Sequence, residues 1–249
     1  MHPTLFIADL HLSDDTPELN LLFANFLHKH QDKAAALYIL GDLFEAWTGD
    51  DDPSQTAAQV ATQIRVFSQS APVYFIAGNR DFMLGNDYAQ KANMILLPEN
   101  HLIDIAGKTI LLTHGDEMCT DDVAYLRYRH IIRQVWVKKL LRTLPFCQRQ
   151  RIAAKIRAQS RIRKQSGTDY TLTDVTEQGV QAALTHFPHV QIIVHGHTHR
   201  PNTHTHCFRQ HCITRYVLPD WHDNQGGYLA IDDNGAHFFR LPENTESSI

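Results

Sequence analysis

No stretch of this 249-residue chain reaches about 18 uninterrupted apolar residues, so a membrane-spanning helix is excluded at the outset. The opening Met1-His2-Pro3-Thr4 runs into Leu5-Phe6-Ile7-Ala8 with neither a basic region nor a cleavage site, and no secretory signal is expected. Cysteine is scarce. Four in a chain of this length do not make a disulfide framework, and a reducing cytosol is the expected compartment. Repeats and low-complexity linkers are also missing. The simplest organisation is one large domain, or a domain carrying an insertion.

Histidine is plentiful, with 17 copies, and it is both the commonest metal ligand and the usual acid/base group near neutral pH. Charge is unevenly spread. Residues 121–165 hold 13 Lys/Arg against two acids, while the rest of the chain holds 10 basic and 25 acidic residues. A basic block in an acidic protein reads either as a solvated helical face or as a surface that meets a phosphate, a lipid headgroup or a nucleic acid.

Short apolar runs at 5–8, 36–40, 73–77 and 109–113 are rich in β-branched and aromatic residues and read as buried strands. Pro17–His30 and residues 54–68 carry apolar positions at helical spacing. Strands alternating with helices predict a layered α/β architecture. Residues 121–164 read as continuous helix with Pro145 as the break. A helix at 174–186, a strand at 190–194 and β-like segments across 203–241 follow. The expected organisation is a core of residues 1–120 and 170–249 with a basic helical cap, 121–169, inserted in it.

Each chemistry-bearing motif directly follows a predicted strand, where side chains converge at the edge of an α/β sheet. These are Asp9-Leu10-His11, Gly41-Asp42, Gly78-Asn79-Arg80-Asp81, Thr113-His114-Gly115-Asp116 and His195-Gly196-His197-Thr198-His199. With one residue between them in an extended segment, Asp9 and His11 would point the same way. Singly, a strand-terminal Asp or Asn is usually a turn residue or a helix cap. Together and in this order, the five form a constellation that chance rarely produces.

This order resembles the calcineurin-like metallophosphoesterase superfamily. Leu40-Gly41-Asp42-Leu43-Phe44-Glu45-Ala46-Trp47, Arg80, Cys119-Thr120-Asp121-Asp122 and the basic insertion are similar to the UDP-2,3-diacylglucosamine pyrophosphohydrolase family of lipid A biosynthesis, over nearly the whole chain. The resemblance implies a four-layer αββα sandwich with a helical cap and two Mn2+ per chain. One ion would be held by Asp9, His11, Asp42 and His197, the other by Asp42, Asn79, His114 and His195. Catalytic roles fall to Asp42, Arg80 and His114, and substrate contacts to Asn79, Arg80, Asp122, Arg157, Ser160, Lys164 and His195. The loop at 164–169 departs from the family pattern. His199 is read as orienting a ligand or touching substrate, and Asp81 and Asp116 as orienting their neighbours.

Carboxylate, amide and imidazole donors suit manganese, and the absence of thiolate argues against a structural zinc site. Two such ions roughly 3.5–4 Å apart acidify a shared water and clamp phosphorus for in-line attack. Arg80 stands where many superfamily members carry histidine. Its pKa lies far above working pH, so it binds developing phosphoryl charge but cannot protonate a leaving group. A phosphate leaving from a pyrophosphate needs no such proton. That chemistry favours a diphosphate, and the resemblance implies hydrolysis of a lipid-linked UDP-sugar at its α phosphorus, to UMP and the acylated sugar 1-phosphate. The enzyme is expected to be a monomer, without a nucleic-acid partner, on the cytoplasmic face of the inner membrane against its anionic leaflet. Rivals are another dimetal phosphodiesterase, for cyclic nucleotides or nucleic acid, and a catalytically silent scaffold; seven intact ligands argue against the last. Ile131, Ile132, Val135, Trp136, Leu140 and Leu141 either shape an acyl-chain groove or pack the cap. His204, His206, Cys207, His211 and Cys212 lack the spacing of a zinc knuckle and read as hairpin residues.

Overall fold

The computed structural model describes residues 2–165, 174–209 and 211–242. In chain order it runs β1 (Thr4–Ile7), α1 (Pro17–His30), β2 (Ala36–Ile39), α2 (Gln55–Phe67), β3 (Val73–Phe75), α3 (Asn86–Ala92) and β4 (Met94–Leu96). Next come β5 (Asn100–Ile105), β6 (Lys108–Thr113), a 3-10 turn (Asp116–Met118), and the helices α4 (Val123–Ile132), α5 (Val135–Arg142) and α6 (Phe146–Gln165). The chain closes with α7 (Glu177–His186), β7 (Ile192–His195), β8 (Asn202–Phe208), β9 (His211–Val217), β10 (Gly226–Asp232) and β11 (Gly235–Leu241).

Two sheets result, ordered β11-β10-β1-β2-β3-β4 and β5-β6-β7-β9-β8. Strands β1 to β4 run parallel, as do β6, β7 and β9. Side chains alternate across each strand, so each sheet has two apolar faces to bury. Leu5, Ile7, Leu37 and Ile39 pack against α1 and α2 through Phe23, Phe26, Val60 and Ile64. The alternate residues Phe6, Tyr38, Ile110, Leu112, Ile192 and Val194 form the layer between the sheets. Leu111 and Ile193 face Val180 and Leu184 of α7 on the far side. That is helix, sheet, sheet, helix, the expected four layers.

Residues 121–164 are not the continuous helix that periodicity predicts. Besides the break near Pro145, the chain turns between α4 and α5, where Gln134 is extended at ψ 137°. Arg133, which closes α4, is held there by contacts to Glu99, Asp116 and the Gly78 carbonyl. Tertiary constraints of this kind leave no mark on helical periodicity. Elements α3, β4 and β5 are also additions to the sequence reading; α3 ends at Asn93 in the left-handed conformation (φ 56°), and β5 alternates exposed and half-buried positions. No helix among the described residues is long and apolar enough to cross a membrane.

Candidate metal centre

The five motifs leave the C-terminal ends of β1, β2, β3, β6 and β7, and the two-sheet packing brings those ends together. One ligand atom each from Asp9, Asp42 and His114 lies within 4.8 Å of the others, and the same holds for Asp9, His11 and His199. Asp9, Asp42 and His114 are no more than 2% exposed. The Asn79 side-chain oxygen faces His114 Nε2 at 3.0 Å and His197 Nδ1 at 2.9 Å.

Backbone strain is concentrated here. Asp9, His11, Asp42, His197 and His199 all have φ between 53° and 71°, a left-handed region that costs about 1–3 kcal/mol for such residues. This corrects the extended geometry expected for Asp9-Leu10-His11. The segment curls because the amides of Leu10 and His11 both donate to the Asp42 carbonyl, at 2.9 and 3.0 Å. Two glycines make the crowding possible. A Cβ on Gly78 would lie 2.2 Å from an Asp42 carboxylate oxygen, and one on Gly196 would lie 2.3 Å from Asp9 Oδ2.

The residues fit a pair of divalent cations. Asp9 Oδ1 and His11 Nδ1 are buried with no partner at hydrogen-bond distance, their nearest polar neighbours being His199 Nε2 and Glu45 Oε2, each 3.6 Å away, a spacing that a cation would close. Burial, and then the neighbouring Arg80, hold the His11 pKa down to about 3; burial and then His114 do the same for His197. Both rings are therefore neutral and able to ligate. Burial and the nearby Asp9 push the Asp42 pKa up, the strain of two carboxylates in one dry site that a cation would relieve.

Supporting groups fall largely where expected. Asp81 accepts from the backbone amides of Leu43 (2.7 Å) and Gly78 (2.8 Å), so one buried carboxylate ties the Asp42 loop to the Asn79 loop. Asp116 instead faces the insertion, accepting from Tyr125, Arg129 and Arg133. Arg80 donates its backbone amide to Asp42 Oδ1 at 2.8 Å, and its guanidinium pairs with Glu45 at 2.7 Å. Arg157 of α6 reaches the same Glu45 at 3.8 Å, which brings Arg80 and the insertion to one edge of the cluster.

Other expected residues are placed differently. His195 Nδ1 lies 2.8 Å from the Gly196 carbonyl, and Arg215 Nη1 donates to His195 Nε2 at 2.9 Å, so both ring nitrogens are engaged outside the cluster. Asp122 caps α4, accepting from the Tyr125 amide at 2.8 Å. Ser160 and Lys164 lie on the α6 backbone, their side chains outside the described residues, as does much of the 164–169 loop. His199 sits closer to the centre than its reading implied, 3.4 Å from His11 Nε2 and 3.6 Å from Asp9 Oδ1. Asp220 backs it at 3.2 Å. Burial opposes charge on that ring, but Asp220 and Asp9 outweigh it and lift the pKa to about 10.

Glu45, Asp220 and Arg133 were missed as site-supporting residues. Arg129 and Arg133 carried a usable signal, two guanidinium groups at i, i+4 on one helix face. The histidine- and cysteine-rich segment forms the hairpin β8–β9, as expected, with Cys207 paired directly opposite Cys212. Those two are joined as a disulfide, since facing positions on adjacent strands bring the sulfurs together, while Cys119 and Cys147 are free.

Residues 2–201 match the model of a family described as calcineurin-like phosphoesterase. The chain is 42% identical over 240 residues to a UDP-2,3-diacylglucosamine hydrolase of Escherichia coli, covering 96% of this chain and 99% of that one. Proteins of the same name from Chromobacterium violaceum and Edwardsiella ictaluri are each 44% identical, covering 95% and 96% of this chain and 98% and 92% of theirs.

Proposed function

The chain belongs to the calcineurin-like phosphoesterase family, and from that premise we propose that it hydrolyses the pyrophosphate of UDP-2,3-diacylglucosamine, giving UMP and 2,3-diacylglucosamine 1-phosphate. The observation that carries this reading is the identity of 42% and 44% to relatives of that name along nearly the whole chain, basic insertion included.

Asp9, His11, Asp42 and His197 would hold one ion, and Asp42, Asn79 and His114 the other, joined by His195 on exchanging the Arg215 contact at its Nε2 for the metal. The mixed oxygen and nitrogen donors favour manganese. When bound, such ions acidify water and draw phosphoryl oxygens to themselves. The protein's own part is orientation and charge. Asp81 fixes the loops of Asp42 and Asn79 relative to each other. Glu45 holds the Arg80 guanidinium beside Asp42, where it can bind charge building on phosphorus or on the departing phosphate. With arginine at this position, the leaving group must depart unprotonated, as a sugar 1-phosphate can.

The insertion supports recognition of an anionic lipid at a membrane surface. Val135, Trp136 and Leu140 of α5 are each more than half exposed, next to Lys138, Lys139 and Arg142. An apolar, basic helix of this kind suits peripheral attachment to the anionic cytoplasmic leaflet. Arg157, Ser160 and Lys164 of α6 would contact the substrate's phosphates, and a single chain would suffice.

Hydrolysis of the lipid-linked UDP-sugar in oxygen-18 water tests the proposal. Label is expected in UMP, because acyl chains held by the insertion leave the sugar phosphate as leaving group. Label in the sugar phosphate would overturn the direction of attack. Faster turnover of a cyclic nucleotide or a small aryl phosphodiester would overturn the substrate.

A further inference from the structure

We infer that Arg133 is a positioning residue through which the helical insertion sets the affinity of the second metal site, an inference that rests on the two-metal reading above. Three residues on one face of α4, Tyr125, Arg129 and Arg133, are spaced by four and converge on a single carboxylate. Asp116 accepts the Tyr125 hydroxyl, Arg129 Nε at 2.7 Å and Arg133 Nη2 at 3.3 Å. Glu99 takes the outer nitrogens, from Arg129 at 2.9 Å and from Arg133 at 2.7 Å. Arg133 Nη2 also donates to the Gly78 carbonyl at 2.9 Å.

The attachment points are two loops that bear ligands of the same ion. Gly78 immediately precedes Asn79, and Asp116 follows His114 by two residues. Asn79 Oδ1 and His114 Nε2 are themselves 3.0 Å apart. Arg133 therefore touches both loops at once, one through a backbone carbonyl and one through a buried carboxylate.

Apolar packing does not explain the placement of α4. None of its residues is fully buried, and Val123 and Ile131 are 53% and 56% exposed. Most surface helices are held by an apolar stripe; this one presents a polar stripe to a fully buried acid, with Asp116 at 0% exposure and Arg133 at 8% of its side chain. A charged pair in such a place is strong only when every partner is present. Whatever moves α4 moves the Gly78 carbonyl and Asp116, and ordering those loops around an ion must in turn hold α4. The coupling is reciprocal, as any linkage between two binding events is.

The test uses the full chain stripped of metal by a chelator and titrated with manganese by calorimetry. Arg133→Met keeps the stem and removes the donors. The second ion should bind about 10-fold more weakly, the usual range for losing an orienting group behind a ligand, while the first is unchanged. Arg133→Lys, which can serve one acceptor but not the fork, should fall between. Manganese should also slow amide hydrogen exchange in α4 of the native chain, and should do so less in Arg133→Met. Unchanged affinity for the second ion, or α4 exchange indifferent to manganese, would overturn the inference. If Arg133→Met does not fold, Glu99→Gln carries the same test from a half-buried carboxylate, with about a threefold loss expected and no loss contradicting. A native chain that takes up no second ion fails the two-metal reading itself and is distinguishable from either result.

Discussion

The metal cluster and the helical insertion are built on opposite terms. At the sheet edge, Asp9, Asp42 and His114 are almost wholly buried, and five site residues sit in strained left-handed backbone. In the insertion, α4 buries no residue completely and α5 buries only Val137, while Val135 and Trp136 are 69% and 65% exposed. The cluster gathers acid and imidazole, and the insertion gathers arginine, lysine and exposed apolar surface. On the proposed function, bond-breaking chemistry would fall to buried groups at the sheet edge, and recognition of a large amphipathic substrate to an exposed surface. The clamp of Tyr125, Arg129 and Arg133 on Asp116 joins them.

The sharpest way to break this division is to remove a cluster residue. Asp42→Ala or His114→Ala should lower turnover at least about 100-fold, as much as losing an orienting group at a metal site costs at most. Near-native circular dichroism is expected, because the ligands lie at the sheet edge and outside the apolar layers. Retention of more than about a tenth of native turnover would contradict the assignment. Reversing charge in the insertion with Arg157→Glu and Lys164→Glu should instead raise KM for the lipid-linked UDP-sugar about 30-fold, at about 1 kcal/mol per basic group near an anionic surface. A small aryl phosphodiester should be barely affected. Equal losses on both substrates would mean that the insertion supports the fold and does not select the substrate.

How much of this is legible in the sequence follows the same divide. The five motifs could be read because each follows a buried apolar run and carries residues whose chemistry is distinctive at that spacing. The curl of Asp9-Leu10-His11 could not, because it depends on the Asp42 carbonyl of a different strand end. The engagement of His195 by Arg215 was hidden for a similar reason, since 20 residues and a strand exchange separate the two. In the insertion, composition told charge but not orientation. The turn at Gln134 and the capping role of Asp122 arise from contacts to the core and from local backbone, which periodicity averages away.

Two smaller effects sharpen the comparison further. Replacing Trp136 and Leu140 together by Asp should reduce co-sedimentation with vesicles containing anionic lipid about 10-fold, which takes about 0.7 kcal/mol from each side chain, under half of the about 1.5–3 kcal/mol that full burial would give. Hydrolysis of the small phosphodiester should be unchanged, and a parallel fall would move α5 into the catalytic region. Replacing Cys207 and Cys212 by Ser should leave metal content and turnover unchanged, since the pair closes a hairpin away from the cluster. Loss of one zinc per chain would instead make that hairpin a metal site.

The smallest expected effect is on acid stability. Burial alone would raise the Glu99 pKa, but Arg133 and then Arg129 outweigh it and hold the group below its ordinary value. A depressed pKa in the folded state means that the ion pairs stabilise the fold above the unfolded carboxyl pKa, about 4.3. That contribution is lost as pH falls below this value. Glu99→Gln should therefore lower Tm slightly at pH 7 and make no difference near pH 2. A Tm difference that grew toward acid pH would contradict the ion-pair assignment.

If the strand-end motifs assemble a centre for two ions, hydrolysis should depend on both. The most direct test is manganese titration of the metal-stripped chain, with turnover of UDP-2,3-diacylglucosamine followed at each addition. Two ions per native chain are expected, with activity appearing only as the second site fills, and a single inactive ion in His114→Ala. Full turnover with one ion bound, or turnover that survives complete metal removal, would contradict that dependence.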